Sequence, residues 1–321
     1  MTNSATLAHS ITWKSSKQSY LTTLILADRD MVDDCLRAYA YMRWADDAID
    51  ITLQSENDRS AFIARQKMLI ENLYLGKWLT GLCPEERMLA DLIGHDRNPN
   101  SGLHSFICNF MAVIEFDSNR RGLLVSNREL ATYTTCLATA VMDGIQYFIG
   151  NGNQYLQNPE RIKAVTGAHI THMLRDMLED VQNGIINIPL EAFDELGISI
   201  ENLNNEAFRH WVSGQIRIAR QAFEEGQDYI TSISVLRCKL AGEWYLARFK
   251  CIVNAIEGEG YKLRLEYPER HCLATWGEMM CIGIKVIVEY GATGVRQSLS
   301  GFYQRMVLPL KGTLRIYPNN K

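Results

Sequence analysis

Seven prolines in 321 residues leave this chain few places to break, and that scarcity is what most constrains its fold. Pro84, Pro99, Pro159, Pro189, Pro268, Pro309 and Pro318 are separated by long segments without strong breakers. Within those segments apolar residues recur at helical spacing. Leu130, Tyr133, Leu137, Val141, Ile145 and Phe148 form one such stripe. Strand-like alternation between turn signals is hard to find. Turn-forming residues gather near 53–58, 95–102, 118–128, 150–159, 184–205, 226–232 and 258–271. The spacing predicts roughly eight to ten helices, many longer than the usual three turns. No linker, low-complexity tract or short repeat divides the chain. The expected fold is therefore one all-α domain over 1–321, with 1–15 and 306–321 irregular.

Composition narrows the function. Hydrophobic residues make up 47% of the chain, enough for a large core. The formal net charge is −4 and no run of Lys or Arg occurs, so nucleic-acid binding is not expected. An anionic substrate would need metal ions or local Arg and Lys to enter. The eight cysteines form no C-x-x-C pair and read as reduced, buried thiols of a reducing compartment. The polar stretch Met1 to Ser16 lacks the apolar centre of a signal peptide, so a cytoplasmic location is expected. No uncharged apolar run reaches the length of a membrane span, so no transmembrane anchor is expected. Met279–Val288, interrupted by Lys285, reads as a buried helix.

Two segments stand out because they are apolar yet carry carboxylates. In residues 35–51, Tyr39, Arg43, Asp46 and Asp50 fall at i, i+4, i+7 and i+11, on one helical face, with Asp47 beside them. In residues 164–189, His169, His172, Asp176 and Asp180 repeat the pattern at i, i+3, i+7 and i+11, flanked by Arg175 and Glu179. One D-x-x-x-D on a helix is ordinarily a solvated face. Two copies on apolar helices, each with an adjacent Arg, are costly to bury unless cations pair them. Facing each other, they would frame a cavity suited to Mg²⁺, a hard cation that takes a few carboxylates and completes its shell with water and phosphate oxygens. Arg43 and Arg175 would neutralise remaining phosphate charge.

These residues carry a resemblance to the squalene/phytoene synthase family, a divergent member of which this chain would be. Tyr39-Ala-Tyr-Met-Arg43-Trp-Ala-Asp46-Asp47-Ala-Ile-Asp50 is similar to the family's Y-A-x-x-R-x-x-D-D-x-x-D motif, and Leu174-Arg175-Asp176-Met-Leu-Glu179-Asp180 to its L-R-D-x-x-E-D. Gly184 to Glu191 resembles the family's flap, and Tyr133, Leu137, Ala138 and Val141 fit part of its Y-x-x-x-V-A-G-x-V-G helix. Ser19-Tyr20 and Ile256 to Tyr261 add weaker matches, so the likeness runs from residue 16 to about 265. The resemblance implies the isoprenoid synthase helical bundle with a central cavity. It implies Asp46, Asp50, Asp176 and Asp180 as catalytic Mg²⁺ ligands (Mn²⁺ substituting), and Tyr39, Arg43, Tyr133 and Arg175 as contacts to a prenyl diphosphate. Departures are also visible. His169 and His172 replace the usual Q-x-x-N, Thr139 and Met142 replace two glycines, Lys17-Gln18 replaces the opening S-[KR], and Ile185 replaces the flap Arg.

The implied reaction starts with ionisation of an allylic prenyl diphosphate, farnesyl or geranylgeranyl, in a water-poor cavity where aromatic faces stabilise the cation. Trp44, Tyr41, Tyr133 and Phe148 are candidates for that lining, though each alone is ordinary core. Head-to-head coupling of two prenyl units is the first expectation. Cyclisation of one prenyl diphosphate by a class I terpene cyclase is the alternative, and a bulkier Thr139 and Met142 would favour it. A scaffold without catalysis, or a phosphohydrolase built on pairs such as His95-Asp96, ranks below both. No G-x-G-x-x-G follows a strand, so NADPH is not expected. Lys285 would reach the diphosphate only if its face turned inward. The oily product makes peripheral membrane contact compatible with the absence of an anchor, and the sequence leaves oligomeric state open.

Overall fold

The computed structural model describes residues 3–77, 80–96, 98, 100–271, 275 and 277–292. Among them the chain is helical throughout, with no strand. The helices are α1 (Ser4–Ser15), α2 (Lys17–Leu26), α3 (Val32–Asp47), α4 (Glu56–Tyr74), α5 (Pro84–His95), α6 (Gly102–Asn119), α7 (Asn127–Ile149), α8 (Glu160–Gln182), α9 (Leu190–Leu196), α10 (Glu206–Ser232) and α11 (Leu236–Gly258). A further helical stretch covers 277–292. No helix among the described residues is long and apolar enough to cross a membrane.

Local chemistry sets the helix ends. Ser126 and Glu129 close a capping box at the start of α7, and Cys83 and Glu86 do the same for α5, where Pro84 occupies the first turn. Ser101 and Asn205 cap α6 and α10 through their side chains. Gly184, at φ +77°, turns the chain out of α8, a conformation that carries no steric cost only without a Cβ.

Packing then follows the apolar stripes. In α10, Phe208, Val212, Ile216, Ala219 and Phe223 recur at helical spacing and are buried against α8. Two glycines let that pair approach closely: a Cβ on Gly226 would sit 2.3 Å from the Ala164 nitrogen, and one on Gly167 2.7 Å from the Ala219 carbonyl oxygen. Helix α6 packs on α7, α7 on α8, and α3 on α1 and α5. The result places α3, α6, α7 and α8 around one interior region, with α11 closing against α8.

Two expectations change. Of the stretch 1–15 expected to be irregular, Ser4–Ser15 is helical. Asn3 caps α1 by accepting from the Ala5 amide, and Ala8 and Thr12 are buried in its packing on α3. Sequence polarity concealed this, because the buried face is made of small residues. Met279–Val288 is helical but largely exposed, with Met280, Ile284, Ile287 and Val288 open to solvent while Met279 and Val286 turn inward. Lys285 is itself exposed and lies 3.9 Å from Glu289 one turn on, outside the interior. The stretch 306–321 lies outside the described residues.

Candidate active site

The first carboxylate stripe sits where a regular helix ends. Helix α3 stops at Asp47 and continues as one π turn, Ala48–Thr52, closed by the Leu53 amide donating to the Ala48 carbonyl at 2.8 Å. Asp46 lies on α3, whereas Asp50 lies in the wider turn, a device found mostly at functional sites. Arg43 donates to Asp47 at 2.6 Å and stands 3.7 Å from Asp46. Asp50 accepts from Arg121 at 2.9 Å.

The second stripe is on α8. Arg175 grips Asp176 with two donors at 2.6 and 2.5 Å, and His172 approaches the same carboxylate at 2.9 Å. Arg175 is thus committed to its neighbour, with only 15% of its side chain exposed. Asp180 accepts from the Asn187 amide at 2.8 Å.

Between the stripes stands a group that motif spacing did not identify. Asp117, near the end of α6, accepts from Arg120 at 2.6 Å and from the Tyr133 hydroxyl at 2.9 Å. Arg120 also donates to Asn187 at 2.6 Å and lies over the rings of Tyr133 and Phe116. The chain Tyr133–Asp117–Arg120–Asn187–Asp180 therefore ties α6, α7 and the segment after α8 into one hydrogen-bonded web. The sequence signal for it, Asp-Ser-Asn-Arg-Arg-Gly at 117–122, is that of an ordinary helix end.

Electrostatics tie both stripes to Asp117. Burial, and then the charge of Asp50, push Asp46 up to about 7, with Asp117 contributing. Burial, and then Asp176, push Asp180 up to about 7, again with Asp117 contributing. Burial raises Asp117 as well, against the pull of Arg120. Burial would also raise Asp176, but the hydrogen bonds from His172 and Arg175 outweigh it and hold that group well below the usual carboxylate range. Asp46 and Asp180 thus carry unrelieved negative charge that a cation would discharge. Among the described residues no three His, Cys, Asp or Glu groups converge into a ready-made cage. An ion that uses few protein carboxylates and fills its shell with water and phosphate oxygens fits that donor set.

His169, two turns before Asp176 on the same face of α8, differs from the carboxylates. It is buried, packs 5.0 Å from the Tyr133 ring, and neither ring nitrogen has a partner. Burial holds it down to about 3, so the imidazole is neutral. Of the aromatic candidates, Tyr41 is core and donates to Gln66, and Trp44 packs against Tyr41 and Phe62. Phe148 lines a cavity that opens beside Arg43 and Asp46 and runs between α3, α6 and α7. Met142, expected to narrow such a cavity, is in the core instead, and Val141, Gly144 and Ile145 supply the α7 wall. His95 and Asp96 serve separate structural contacts, to Asp34 and to Tyr74 and Ser101.

Comparisons with known proteins bear on the fold and the family. The fold is similar to that of squalene synthase HpnC from Alicyclobacillus acidocaldarius, with a TM-score of 0.65 at 15% identity over 81% of this chain and 95% of that one. It is similar also to a dehydrosqualene synthase solved with a ligand, with a TM-score of 0.65 at 16% identity over 90% of this chain and 97% of that one. A chloroplastic phytoene synthase from an Oncidium hybrid cultivar is 25% identical over 138 residues, which is 40% of this chain and 31% of that relative. The squalene/phytoene synthase profile matches residues 13–276. With most of its length so matched and both aspartate helices in place, the chain belongs to the squalene/phytoene synthase family.

Proposed function

We propose that this protein ionises an allylic prenyl diphosphate with the help of Mg²⁺ and joins two prenyl units head to head. One observation carries the reading. The pair Asp46 and Asp50 from one part of the chain and the pair Asp176 and Asp180 from another both neighbour Asp117, burial and adjacent carboxylates raise Asp46 and Asp180, and Asp46 opens onto an apolar cavity. Mg²⁺ held by Asp46, Asp50, Asp176 and Asp180 would supply Lewis acidity for departure of the diphosphate.

The chain's own residues supply the rest. Arg43, with 44% of its side chain exposed at the cavity mouth, is placed to share a diphosphate oxygen. Tyr39 lines the same mouth. Tyr133 holds Asp117 by a hydrogen bond and keeps the web between the stripes in register. The cavity wall is aromatic and aliphatic, which excludes water from a cation and offers ring faces to it.

The test is direct. Purified protein with Mg²⁺ and farnesyl or geranylgeranyl diphosphate is expected to release pyrophosphate and yield an extractable product of two prenyl units, identified by mass spectrometry. Asp176→Ala/Asp180→Ala is expected to lose at least about a thousandfold in rate, the scale of removing a main electrostatic stabiliser. A product of one prenyl unit would defeat the coupling step, and an unaltered diphosphate in Mg²⁺ and Mn²⁺ would defeat the whole reading.

A further inference from the structure

Arg43, Arg120, Arg121 and Arg175 stand among the carboxylates of the two stripes, and one of them is bonded differently from the rest. The Nε of Arg43 donates to Asp47 at 3.2 Å, that of Arg120 to Asp117 at 2.8 Å and that of Arg175 to Asp176 at 2.6 Å. In Arg121 the terminal Nη2 donates to Asp50 Oδ1 at 2.9 Å, but the Nε is enclosed and has no acceptor.

The Nε and Nη2 hydrogens lie on one edge of the guanidinium plane and form a fork that matches two oxygens of one group. Arg175 fills this edge with both oxygens of Asp176, at 2.6 and 2.5 Å. Arg65 fills it with both oxygens of Glu86, at 2.6 and 2.7 Å. In Arg121 one prong is filled and the other is empty. A donor hidden from water and left without an acceptor is costly, so Asp50 is an incomplete partner for this guanidinium. An anion with paired oxygens would complete the fork.

The backbone fixes Arg121 between the stripes and leaves only its side chain to move. The Gly122 amide donates to the Gly184 carbonyl at 2.8 Å and the Leu190 amide to the Val125 carbonyl at 2.8 Å. The Asn127 amide donates to the Glu191 carboxylate at 2.9 Å. These bonds lash 122–127 to the segment that leaves α8 just past Asp180, while Arg120 is pinned by Asp117 and Asn187. The Arg121 side chain reaches the other way, to the π turn that carries Asp50.

On the reading above, Asp50 helps to hold a divalent ion, and a guanidinium bonded to the same carboxylate is repelled by that charge. Such an ion completes its shell with phosphate oxygens, so the anion that Arg121 lacks arrives with it. Resting on that reading, we propose that Arg121 is a diphosphate-binding residue held in reserve on Asp50. When substrate binds, Asp50 turns to the ion and Arg121 closes its Nε–Nη2 fork on phosphate oxygens. The same residue thus neutralises Asp50 before binding and the departing diphosphate afterwards.

The two halves of this exchange respond in different ways when Arg121 is replaced, whereas loss of a merely structural ion pair would weaken both. Calorimetric titration of the full-length chain measures affinity for Mn²⁺ alone, and then for inorganic pyrophosphate in saturating Mg²⁺. Arg121→Gln is expected to bind Mn²⁺ as tightly as wild type or more tightly, because nothing competes for Asp50. It is expected to bind pyrophosphate about ten- to a hundredfold more weakly, the weight of a hydrogen bond to a charged group. Arg121→Lys, which keeps the charge without the fork, is expected to fall between the two in pyrophosphate affinity. Should Arg121→Gln fail to melt cooperatively, Arg121→Lys decides, with Mn²⁺ binding retained and pyrophosphate binding weakened. Equal weakening of both ligands would make Arg121 a strut between α6 and the π turn and overturn the proposal, as would an unaltered pyrophosphate affinity. Wild type that binds no pyrophosphate in Mg²⁺ overturns instead the function on which the proposal rests.

Discussion

At the scale of residues, the informative groups are Asp46 and Asp180, both raised to about 7 by burial and by a neighbouring carboxylate. An aspartate titrates near 3.9 when unfolded. Between about pH 4 and 7 the folded chain therefore holds protons at these positions that the unfolded chain has lost, and stability contributed there falls as pH rises through that window. His169, held down to about 3, works in the opposite sense below its unfolded value. The sign is thus isolated by comparing variants. In urea unfolding without divalent ions, Asp46→Asn and Asp180→Asn are expected to gain stability relative to wild type as pH is raised from 5 to 8. A difference that stays flat or reverses over that range would show that the carboxylates are not in conflict. The sequence exposed Asp46, Asp50, Asp176 and Asp180 because each pair repeats at helical spacing on a greasy helix. It hid Asp117, Arg120, Arg121 and Asn187, since each is a single polar residue at a helix end or loop, and only the meeting of α6 with α7 and the segment after α8 makes a web of them.

At the scale of elements, the stripes decided the fold and the small residues decided its spacing. Helix α10 carries Phe208, Val212, Ile216 and Phe223 at helical spacing, yet runs on to Ser232 through the 226–232 stretch where turn-forming residues gather, because Gly226 there is a close-packing position against α8 and not a break. Small residues likewise explain α1, whose packing face is Ala8 and Thr12. The π turn at Ala48–Thr52 leaves no mark in composition, so Asp50 looked like the next turn of a regular helix. The exposed face of 277–292 shows the converse error: an apolar run indicates the capacity to be buried, not the presence of something to bury it. The α8–α10 contact can be tested on its own. Gly226→Ala puts a methyl 2.6 Å from the Ala164 Cβ and closer still to backbone, which no rotamer change relieves. Overpacking of this kind costs about 1–3 kcal/mol, and backbone contact places this case at or above the upper end. A fall in the urea midpoint equal to that cost divided by the m-value is expected, with the m-value unchanged. Gly258→Ala, at an α11 end with no atom within 4 Å, is the control and is expected to shift little.

At the scale of the whole molecule, the two aspartate helices are separated by more than a hundred residues and share no backbone hydrogen bond, so any ligand that needs both must couple their stability. A chain of net charge −4 repels an anion unless cations intervene. Mg²⁺ and inorganic pyrophosphate together are therefore expected to raise the thermal midpoint of wild type, whereas pyrophosphate alone is expected to do little. A ligand at a hundredfold excess over its Kd stabilises by about 2.7 kcal/mol, which for a chain of this size is a shift of about 4 °C. The diagnostic result lies in the variants. If the stripes form one clamp, Asp46→Ala/Asp50→Ala and Asp176→Ala/Asp180→Ala each abolish the full shift, although each removes only one side. If each stripe binds on its own, each variant keeps about half of it. Loss of the whole effect from either side is the expected outcome, because Asp117 already couples electrostatically to Asp46 and to Asp180 before any ligand arrives.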